Sequence, residues 1–409
     1  MAKSKYAILG GGMVAGYAAK EMVERGLKPG ELTIVSADDA LPYERPPLSK
    51  GFLAGKDNET GILINPAEWY REHGIEVALK TAVTSIDLAK KSLRTSSGQN
   101  FEAEKLLIAT GARARTLSVP GKDLDNVFYL RSMGDSRKIR SAAEKSKRAV
   151  VIGGGFIGME VAAVLTQKKI HTTMIFPEER VWKRMFTPEM SKFFERYYAE
   201  RGVEILTKTN VAGFEGKGSV SAVALEGGRT VPCDLAIAGV GAAPVTELFE
   251  KTEILGRDGV QVNEFLETGA AGVYAAGDVA NYPDAIFEKR RRVEHWDNAV
   301  SQGQHWARVA MGDRQAFVHV PYFFSDVFDL SYEFWGDSDG ATQTVVRGDL
   351  NSSSFSVWWL KGERLIAVFA MSRPDEERNA GPEWIQSKKR VSAARLGEQN
   401  RPASEALQA

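Results

Sequence analysis

Two stretches of the chain repeat one pattern of apolar and small residues. Each begins with a short apolar run, residues 6–9 and residues 149–152, which predicts a buried strand. A glycine-rich turn follows, and apolar residues then recur at helical spacing, most clearly over residues 159–167. A further apolar strand comes next in each copy, over residues 32–35 and 172–176. This order of elements predicts two strand–turn–helix–strand units of an α/β fold with parallel strands.

The glycines of the two turns match the dinucleotide-binding fingerprint G-x-G-x-x-G/A. Its positions are Gly10, Gly12 and Ala15 in the first turn, and Gly153, Gly155 and Gly158 in the second. The first residue permits a tight turn, the second lets the backbone approach a pyrophosphate, and the third lets the helix pack close to the strand. Two such turns, each between a strand and a helix, predict two dinucleotide sites, with each pyrophosphate at a helix N-terminus.

An acidic residue follows the second strand of each copy. Asp38 comes after the first of these strands and Glu178 after the second. A carboxylate at this position can accept hydrogen bonds from a ribose diol, and it repels the 2′-phosphate of NADP. Arg180 and Arg184 lie close to Glu178 and weaken this argument. We predict a preference for NADH over NADPH.

Other apolar runs complete the predicted architecture. One ends at Thr110 and Gly111, where the backbone can cross closely, and another ends at Gly277 and Asp278, whose carboxylate can bind a ribityl hydroxyl. Short β-like runs with turn-rich stretches between them predict an antiparallel sheet near the C-terminus. These runs cover residues 342–347, 355–360 and 365–370.

Composition and charge narrow the class of protein. The chain has 409 residues, enough for two or three domains, and its 43% hydrophobic and 26% charged residues are typical of a soluble globular protein. Lys+Arg and Asp+Glu both total 53, so net charge gives no reason to expect nucleic acid or a membrane surface as a partner. No apolar run approaches the roughly 20 residues that span a bilayer, and no signal peptide precedes the first strand. We expect a cytoplasmic protein.

The rarer residues argue against two kinds of chemistry. Cys233 is the single cysteine, so this chain can form neither an intramolecular disulfide nor a Cys-x-x-Cys redox pair. Because Cys233 lies beside an apolar run, we expect a buried structural thiol. The five histidines lack the spacing of metal ligands, so we expect no metal site.

Five segments occur in the order GGGMVAG, PYERPPLSK, ATG, GGGFIGME and AAGDV. With them the chain resembles the two-dinucleotide flavoprotein reductases, in the branch of monodehydroascorbate reductases, bacterial ferredoxin and rubredoxin reductases, and apoptosis-inducing factor. The resemblance extends to about residue 375 and implies two Rossmann-like domains, as in glutathione reductase, plus a C-terminal α+β interface domain. It divides the chain into an FAD-binding domain (1–113 and 243–318), an NAD(H)-binding domain (114–242) and the interface domain (319–409).

The resemblance implies an FAD-dependent NAD(P)H oxidoreductase and assigns cofactor contacts residue by residue. Against FAD it places Gly10, Gly12, Ala15, Asp38, Arg45, Lys50, Arg131 and Asp278. We also expect Trp296 to contact the flavin, since an aromatic ring can pack on it. Against NAD(H) it places Gly155, Ile157, Gly158, Glu178, Gly241 and Glu294. Neighbouring positions expected to contact either nucleotide are Met13, Val14, Val83, Thr110, Gly111, Gly154, Phe156, Arg184 and His295.

Lys50 and Glu160 resemble the lysine–glutamate pair that this family carries beside the flavin ring, and they are the candidate catalytic residues. A lysine there favours the electron-rich reduced ring, and a buried glutamate holds the lysine in place. The alternative is a solvated loop lysine and an acid on a helix surface.

The electron acceptor is the open question. Several stretches are similar to plant monodehydroascorbate reductases, but Asp326 stands where those enzymes carry an arginine and Trp358 where they carry a substrate-contacting tyrosine. A carboxylate is a poor partner for an anionic ascorbyl radical. The Phe-Ser-Asp run that includes Asp326 instead resembles the bacterial ferredoxin reductases. We therefore expect a small iron–sulfur protein such as a ferredoxin, with monodehydroascorbate as the alternative small-molecule acceptor.

Two other classes of function stay open. One is an NADH oxidase or quinone reductase, and the other is a redox sensor like apoptosis-inducing factor. The oligomeric state, monomer or homodimer, also stays open. The basic run at residues 289–292 is either a landing site for an acidic ferredoxin or a solvated loop. We expect Trp335 and Trp359 in the core. The tail, residues 379–409, is either an interaction arm or a partly helical surface segment.

Overall fold

The computed structural model describes residues 2–408. Its strands are β1 Ala2–Leu9, β2 Leu32–Val35, β3 Glu76–Ala78, β4 Val83–Asp87, β5 Ser92–Thr95, β6 Asn100–Ile108, β7 Ala112–Ala114, β8 Val127–Tyr129, β9 Arg148–Ile152, β10 His171–Ile175, β11 Glu204–Leu206, β12 Val211–Lys217, β13 Ser219–Leu225, β14 Thr230–Pro232, β15 Leu235–Ala238, β16 Ala242–Pro244, β17 Val260–Gln261, β18 Val273–Ala275, β19 Ala280–Asp284, β20 Lys289–Arg291, β21 Tyr322–Val327, β22 Leu330–Gly336, β23 Gln343–Asp349, β24 Ser354–Lys361 and β25 Arg364–Met371. Its helices are α1 Met13–Glu24, α2 Gly51–Ala54, α3 Ala67–Glu72, α4 Met133–Ala143, α5 Phe156–Gln167, α6 Pro188–Glu200, α7 Trp296–Ala310, α8 Asp375–Gln386 and α9 Ala393–Leu396.

The chain forms two compact units. The first contains the residues up to Arg45, together with Glu59–Arg113 and Ala243–Tyr322. The second contains Pro46–Asn58, Ala114–Ala242 and the residues from Phe323 on. The short segment Pro46–Asn58 therefore belongs to the second unit, although it interrupts the first unit in sequence.

A mainly parallel sheet forms the centre of the first unit. Its order is β3-β2-β1-β6-β5-β4, and β18 pairs in parallel with β6. Leu9 on β1 lies opposite Val35 on β2 and Ile108 on β6, and all three are buried. Helix α1 packs against α7 at a point where a Cβ at Gly303 would lie 2.7 Å from the Val14 carbonyl oxygen. This strand order is that of a dinucleotide-binding half.

A second parallel sheet, of order β11-β10-β9-β15-β8, lies in the second unit. Ile152 on β9 lies opposite Ile175 on β10 and Ala238 on β15. Near-continuous apolar strands such as β9 and β15 are typical of a parallel sheet covered on both faces. The prediction of an α/β fold with two Rossmann-like sheets is confirmed.

An antiparallel sheet of order β21-β22-β25-β24-β23 completes the second unit. Aromatic side chains of α6 pack on it, with ring centroids 5.2 Å apart for Phe194 and Tyr332 and 5.5 Å apart for Phe193 and Phe355. Aromatic pairs at these separations add stability beyond the area they bury. The predicted C-terminal α+β region is thus confirmed, and it packs in one unit with the second parallel sheet.

The C-terminal tail lies on this antiparallel sheet. The tail contains most of helix α8 and all of helix α9, which agrees with the prediction of a partly helical surface segment. The Arg347 guanidinium donates to the carbonyl oxygens of Leu396 at 2.7 Å and Arg401 at 2.7 Å. Because Arg347 is buried, these bonds fix the tail to strand β23.

The structure bears on two smaller predictions, the buried thiol and the basic run. Cys233 is fully buried, and burial raises the pKa of its thiol to about 11, as expected for a structural thiol.

In the basic run at residues 289–292, Arg291 pairs with Asp284 at 3.2 Å, and Arg292 pairs with Asp258 at 2.9 Å. Half of the run is thus neutralised within the first unit, which weakens the prediction of a landing site for an acidic ferredoxin.

Over residues 2–408, no helix combines the length and apolarity needed to cross a membrane.

Candidate active site

The turn after β1 leaves space for a phosphate where the fingerprint predicts it. Gly10 has a φ of +121°, and a Cβ there would lie 2.2 Å from the Ala109 carbonyl oxygen, so the turn requires glycine. At Gly12 a Cβ would have only the Arg45 Nη2 atom within 4 Å, at 3.7 Å. Ala15 is fully buried, so its small side chain allows α1 to lie close to the sheet.

The turn after β9 repeats this arrangement. A Cβ at Gly153 would lie 2.3 Å from the Gly239 carbonyl oxygen, and a Cβ at Gly158 would lie 2.0 Å from the Gly153 carbonyl oxygen. At Gly155 a Cβ would meet nothing within 4 Å. The outer fingerprint glycines are therefore required by packing, whereas the middle one borders open space that a pyrophosphate can enter.

Neither helix that follows these turns has a side-chain cap at its N-terminus, where the dipole is positive. Gly12 is the N-cap of α1 and Gly155 that of α5, with no capping side chain and no acidic residue in the first turn of either helix. By contrast, α4 begins with a capping box made by Ser132 and Asp135. The N–H groups at the start of α1 and α5 therefore fit the anionic pyrophosphates of two dinucleotides.

Asp38 is oriented by its own turn. Its carboxylate accepts hydrogen bonds from the N–H groups of Asp39 at 2.8 Å and Ala40 at 3.3 Å, and from the Tyr43 hydroxyl at 3.1 Å. A carboxylate has about four lone-pair sites, so capacity for a ribose hydroxyl remains.

Glu178 is exposed at the end of β10, and the neighbouring arginines differ in their surroundings. Arg180 donates through Nη1 to the Phe186 carbonyl oxygen at 2.8 Å and to Ser191 Oγ at 3.1 Å. Arg184 is exposed. Because Arg180 Nη1 is bonded to Phe186 and to Ser191 of α6, it competes less with Glu178 than the sequence suggests.

Asp278 is held in place by a residue that the sequence did not point to. Gly277, with a φ of +78°, donates its N–H to Gln302 Oε1 at 2.7 Å, and Asp278 follows with 9% of its surface exposed. Gln302 is fully buried on α7, and its Nε2 has no partner among the described residues. A buried amide with an unused donor fits a site that a polar cofactor completes. The only sequence signal for Gln302 is a polar residue on the buried face of an amphipathic helix.

Lys50 and Glu160 form a largely buried ion pair in the second unit. Lys50 Nζ lies 2.7 Å from Glu160 Oε1, with side chains 16% and 5% exposed. Lys50 comes from the segment Pro46–Asn58, and Glu160 comes from the buried face of α5. The lysine Nζ also lies 5.5 Å from the Phe324 ring centroid. Because Glu160 is buried and Lys50 is largely buried and paired, the alternative of a solvated loop lysine and a helix-surface acid is wrong.

A second carboxylate, Glu44, ties together three segments of the first unit. It accepts hydrogen bonds from the Tyr17 hydroxyl and from Trp296 Nε1. Burial and the hydrogen bond to Glu44 raise the pKa of the Tyr17 phenol well above its ordinary value. Glu44 immediately precedes Arg45, so this contact fixes the backbone from which Arg45 reaches toward the first glycine turn. The sequence gives no sign of this role for Glu44.

Comparison with known proteins agrees with this geometry. A profile of the family described as pyridine nucleotide-disulphide oxidoreductase matches residues 4–303, and one described as reductase C-terminal matches residues 322–407. This chain belongs to the pyridine nucleotide-disulphide oxidoreductase family. It is an FAD-dependent NAD(P)H oxidoreductase, and FAD and NAD(P)H are its cofactors.

Two kinds of reductase are among the proteins similar to this chain. Peroxisomal monodehydroascorbate reductase 4 of Arabidopsis thaliana is 39% identical over 396 residues, covering 91% of this chain and 80% of that protein. Monodehydroascorbate reductase of Solanum lycopersicum is 37% identical over 404 residues, covering 92% of each. Among solved structures, putidaredoxin reductase in its covalent complex with putidaredoxin matches with a TM-score of 0.94 and 32% identity over 98% of each chain. A ferredoxin reductase from Rhodopseudomonas palustris matches with a TM-score of 0.94 and 29% identity over 100% of each chain.

The other predicted contact residues of this oxidoreductase in the first unit are distributed as follows. Met13 and Val14 are buried in the first turn of α1, and Val83 is half-buried at the start of β4. Thr110 donates a hydrogen bond to the Val245 carbonyl oxygen at 2.8 Å, and Gly111 has a φ of +66°. Glu294 accepts a hydrogen bond from Arg292 Nη1 at 2.5 Å. Burial lowers the pKa of His295, the N-cap of α7, to about 4, so this imidazole is neutral at pH 7.

In the second unit the predicted contacts cluster around α5. Phe156 packs edge-on against Phe323 with ring centroids 4.3 Å apart, and Ile157 is 38% exposed beside it. A Cβ at Gly154 would lie 3.0 Å from the Phe176 ring. Away from α5, Arg131 donates its backbone N–H to Asp135 Oδ2 at 3.1 Å, and Gly241 has a φ of +102°.

The two positions that the resemblance predicts to differ from the plant enzymes have different exposures. Asp326 is exposed on β21. Trp358 is fully buried, and its Nε1 donates to Ser356 Oγ at 2.9 Å. Because side chains alternate along β24, Trp359 points to the opposite face, where its ring centroid lies 5.5 Å from that of Phe334. Trp359 and Trp335 are both buried, as expected.

Proposed function

We propose that this oxidoreductase takes a hydride from NADH and passes the electrons through FAD to a small iron–sulfur protein of the ferredoxin type. The observation that carries the proposal is the buried pairing of Lys50 with Glu160 in a chain that has two uncapped helix N-termini. When bound, FAD supplies both hydride acceptance and the release of single electrons.

The first unit is proposed to hold FAD. The turn of Gly10, Gly12 and Ala15 would place the pyrophosphate on the N–H groups of α1, and Asp38 would accept a hydrogen bond from the ribose. Asp278 would accept one from the ribityl chain. The Gln302 contact supports this assignment, because it fixes the turn that presents Asp278.

The second unit is proposed to hold NADH at the turn of Gly155 and Gly158. The open space at Gly155 would take the pyrophosphate, and Glu178 would accept hydrogen bonds from the adenosine ribose. The engagement of Arg180 Nη1 by Phe186 and Ser191 supports NADH over NADPH, because it leaves fewer guanidinium donors for a 2′-phosphate.

Lys50 is proposed to act on the flavin ring. A fixed ammonium group beside the ring favours its electron-rich reduced form and thereby favours acceptance of a hydride from NADH. Glu160 keeps Nζ in one place, 2.7 Å from its own Oε1. Since both side chains are largely buried, water screens this charge only weakly.

Three observations support an iron–sulfur protein as the acceptor. The exposed carboxylate of Asp326 is unsuited to an anionic radical, and the burial of Trp358 removes it from contact with any acceptor. The similarity to putidaredoxin reductase, solved in complex with putidaredoxin, extends over 98% of this chain.

Monodehydroascorbate is the second candidate acceptor. It is favoured by the sequence identity of 37–39% to monodehydroascorbate reductases over 91–92% of this chain. That identity exceeds the 32% and 29% found for the two ferredoxin-type reductases. We nevertheless rank monodehydroascorbate second, because the carboxylate of Asp326 is a poor partner for an anionic radical.

A steady-state comparison with NADH tests the proposal. The acceptors are a [2Fe–2S] ferredoxin panel, monodehydroascorbate generated by ascorbate and ascorbate oxidase, and a dye as positive control. We expect the highest kcat/KM with a ferredoxin, and we expect Asp326→Arg to shift the ratio toward monodehydroascorbate. Asp339→Arg, which places the same charge in an exposed turn, is the matched control.

Other outcomes of the same assay would overturn the proposal. Faster turnover with monodehydroascorbate would establish the plant-type activity. Rapid oxygen uptake without added acceptor would indicate an NADH oxidase. Slow reoxidation together with NADH-dependent dimerisation would indicate a redox sensor.

A further inference from the structure

The Glu160 carboxylate has two partners besides Lys50. Its Oε1 accepts hydrogen bonds from Lys50 Nζ at 2.7 Å and from Ser325 Oγ at 2.6 Å. Its Oε2 accepts one from Ser49 Oγ. Glu160, Ser49 and Ser325 are 4%, 2% and 0% exposed. Both oxygens of a buried carboxylate are thus engaged by side-chain donors, two of which are neutral hydroxyls.

These donors come from separate segments of the second unit. Glu160 lies on α5, Ser325 lies on β21 of the antiparallel sheet, and Ser49 ends a 3₁₀ turn at Pro46–Ser49. That turn is itself anchored, because Ser136 Oγ of α4 donates to the Leu48 carbonyl oxygen at 2.7 Å. The hydroxyls are therefore presented by packed elements and not by mobile loops.

A single lysine does not fix the plane of a carboxylate. With only Lys50 as partner, the carboxylate can rotate, and Nζ can move with it or exchange between the two oxygens. A hydroxyl on each oxygen removes this freedom, because a carboxylate accepts along defined lone-pair directions. The arrangement also offsets the cost of burying a charged group, since every extra donor satisfies an acceptor that burial removes from water.

The other groups facing Glu160 do not replace these hydroxyls. Tyr198 and Tyr332 are fully buried, and burial followed by neighbouring charge, that of Glu160 included, raises the pKa of both phenols well above the ordinary value. The Tyr198 hydroxyl donates to the Met159 carbonyl oxygen at 2.9 Å. Both phenols are therefore neutral at working pH. Among residues 2–408, Lys50 is the only cation paired with Glu160.

We propose that Ser49 and Ser325 are positioning residues that fix Lys50 Nζ by holding the Glu160 carboxylate. Ser325 gives the C-terminal sheet a part in tuning the flavin, and it belongs to the same Phe-Ser-Asp run as Asp326. The inference rests on the proposed action of Lys50 on the flavin ring. Removal of either hydroxyl leaves the ion pair in place but loosens its geometry.

The midpoint potential of the bound flavin, measured by dye equilibration, tests the inference. We expect Lys50→Met to lower the potential, and we expect Ser325→Ala and Ser49→Ala to lower it by a smaller amount. Ser325→Thr, which keeps the hydroxyl, should retain the parent potential. The rate constant for flavin reduction by NADH should fall in the alanine variants by no more than about 100-fold, as for a displacement of about 1 Å.

Two controls separate positioning from general destabilisation. Ser356 is equally buried and donates to Glu377 at 2.6 Å, so Ser356→Ala removes the same kind of bond from a different carboxylate. This variant should keep the parent potential. In a Lys50→Met background, Ser325→Ala should produce no further shift, because Lys50 is the group through which Ser325 acts. If Ser325→Ala fails to fold, Ser49→Ala carries the test alone.

The outcomes distinguish the inference from the proposed function. An unchanged potential in Lys50→Met would contradict the action of Lys50 on the flavin. A shift in Lys50→Met with none in either alanine variant would overturn the role of the serines. A Ser325→Ala shift that persists without Lys50 would show that Ser325 acts by another route.

Discussion

Arg347 Nε donates to Glu377 Oε1 at 2.9 Å, and each of the two side chains is only 4% exposed. Arg347 also holds the C-terminal tail through the carbonyl oxygens of Leu396 and Arg401. Because Glu377→Gln leaves a buried guanidinium without its charge partner, we expect it to lower the free energy of unfolding by about 3–5 kcal/mol. Asp375→Asn removes an exposed acid of the same helix and should have no measurable effect in denaturant unfolding. Equal stability of the two variants would contradict this account.

The same carboxylate predicts a pH dependence of stability. Burial opposes ionisation of Glu377, but hydrogen bonds from Arg373, Ser356 and Arg347 outweigh it and lower its pKa from 4.5 to about 2. A lowered pKa adds stability above the unfolded-state value, and this stability is lost as pH falls from about 4.5 toward 2. We expect a loss of up to about 3 kcal/mol over this window, and Glu377→Gln should lack it. Parallel stability curves for parent and variant would contradict the prediction.

The middle and last glycines of the second fingerprint predict opposite outcomes for one substitution. A Cβ at Gly155 meets nothing within 4 Å, whereas a Cβ at Gly158 would lie 2.0 Å from the Gly153 carbonyl oxygen. Gly155→Ala should therefore keep the parent melting temperature but raise the Kd for NADH, because the methyl group occupies the pyrophosphate space. Gly158→Ala should lower the melting temperature. Calorimetry and NADH titration measure both effects, and normal NADH binding by Gly155→Ala would argue against this site.

Glu178 predicts the choice of nucleotide. Glu178→Arg replaces a carboxylate suited to a ribose diol with a cation suited to a 2′-phosphate. We expect the ratio of kcat/KM for NADPH to that for NADH to rise by roughly 10- to 100-fold, equivalent to about 1.4–2.7 kcal/mol. Glu179→Arg, one residue further along the loop, is the control and should shift the ratio much less. A parent enzyme that prefers NADPH would contradict the premise.

The sequence predicts the fold well because its strongest signals are local. The apolar runs, the glycine turns and the spacing of Gly10, Gly12 and Ala15 are fixed by neighbours in the chain, and the predicted strands match β1, β2, β9 and β10 closely. The burial of Cys233 follows in the same way from the apolar run beside it.

Contacts between distant segments could not be predicted. Gln302 with Gly277, Ser325 with Glu160, and Trp296 with Glu44 depend on how separate elements pack, and no local spacing encodes that. The basic run illustrates the same limit, since Arg292 is neutralised by Asp258, 34 residues away in sequence. The orientation of Trp358 required the register of β24, because a shift of one residue exchanges the two faces of a strand.

Anaerobic stopped-flow mixing tests the central claim most directly. The enzyme is first reduced with one equivalent of NADH and then mixed with oxidised [2Fe–2S] ferredoxin or with monodehydroascorbate, while the flavin absorbance is followed. We predict that ferredoxin reoxidises the flavin with the larger second-order rate constant. A larger rate constant with monodehydroascorbate, or no reoxidation by any ferredoxin tested, would contradict the account.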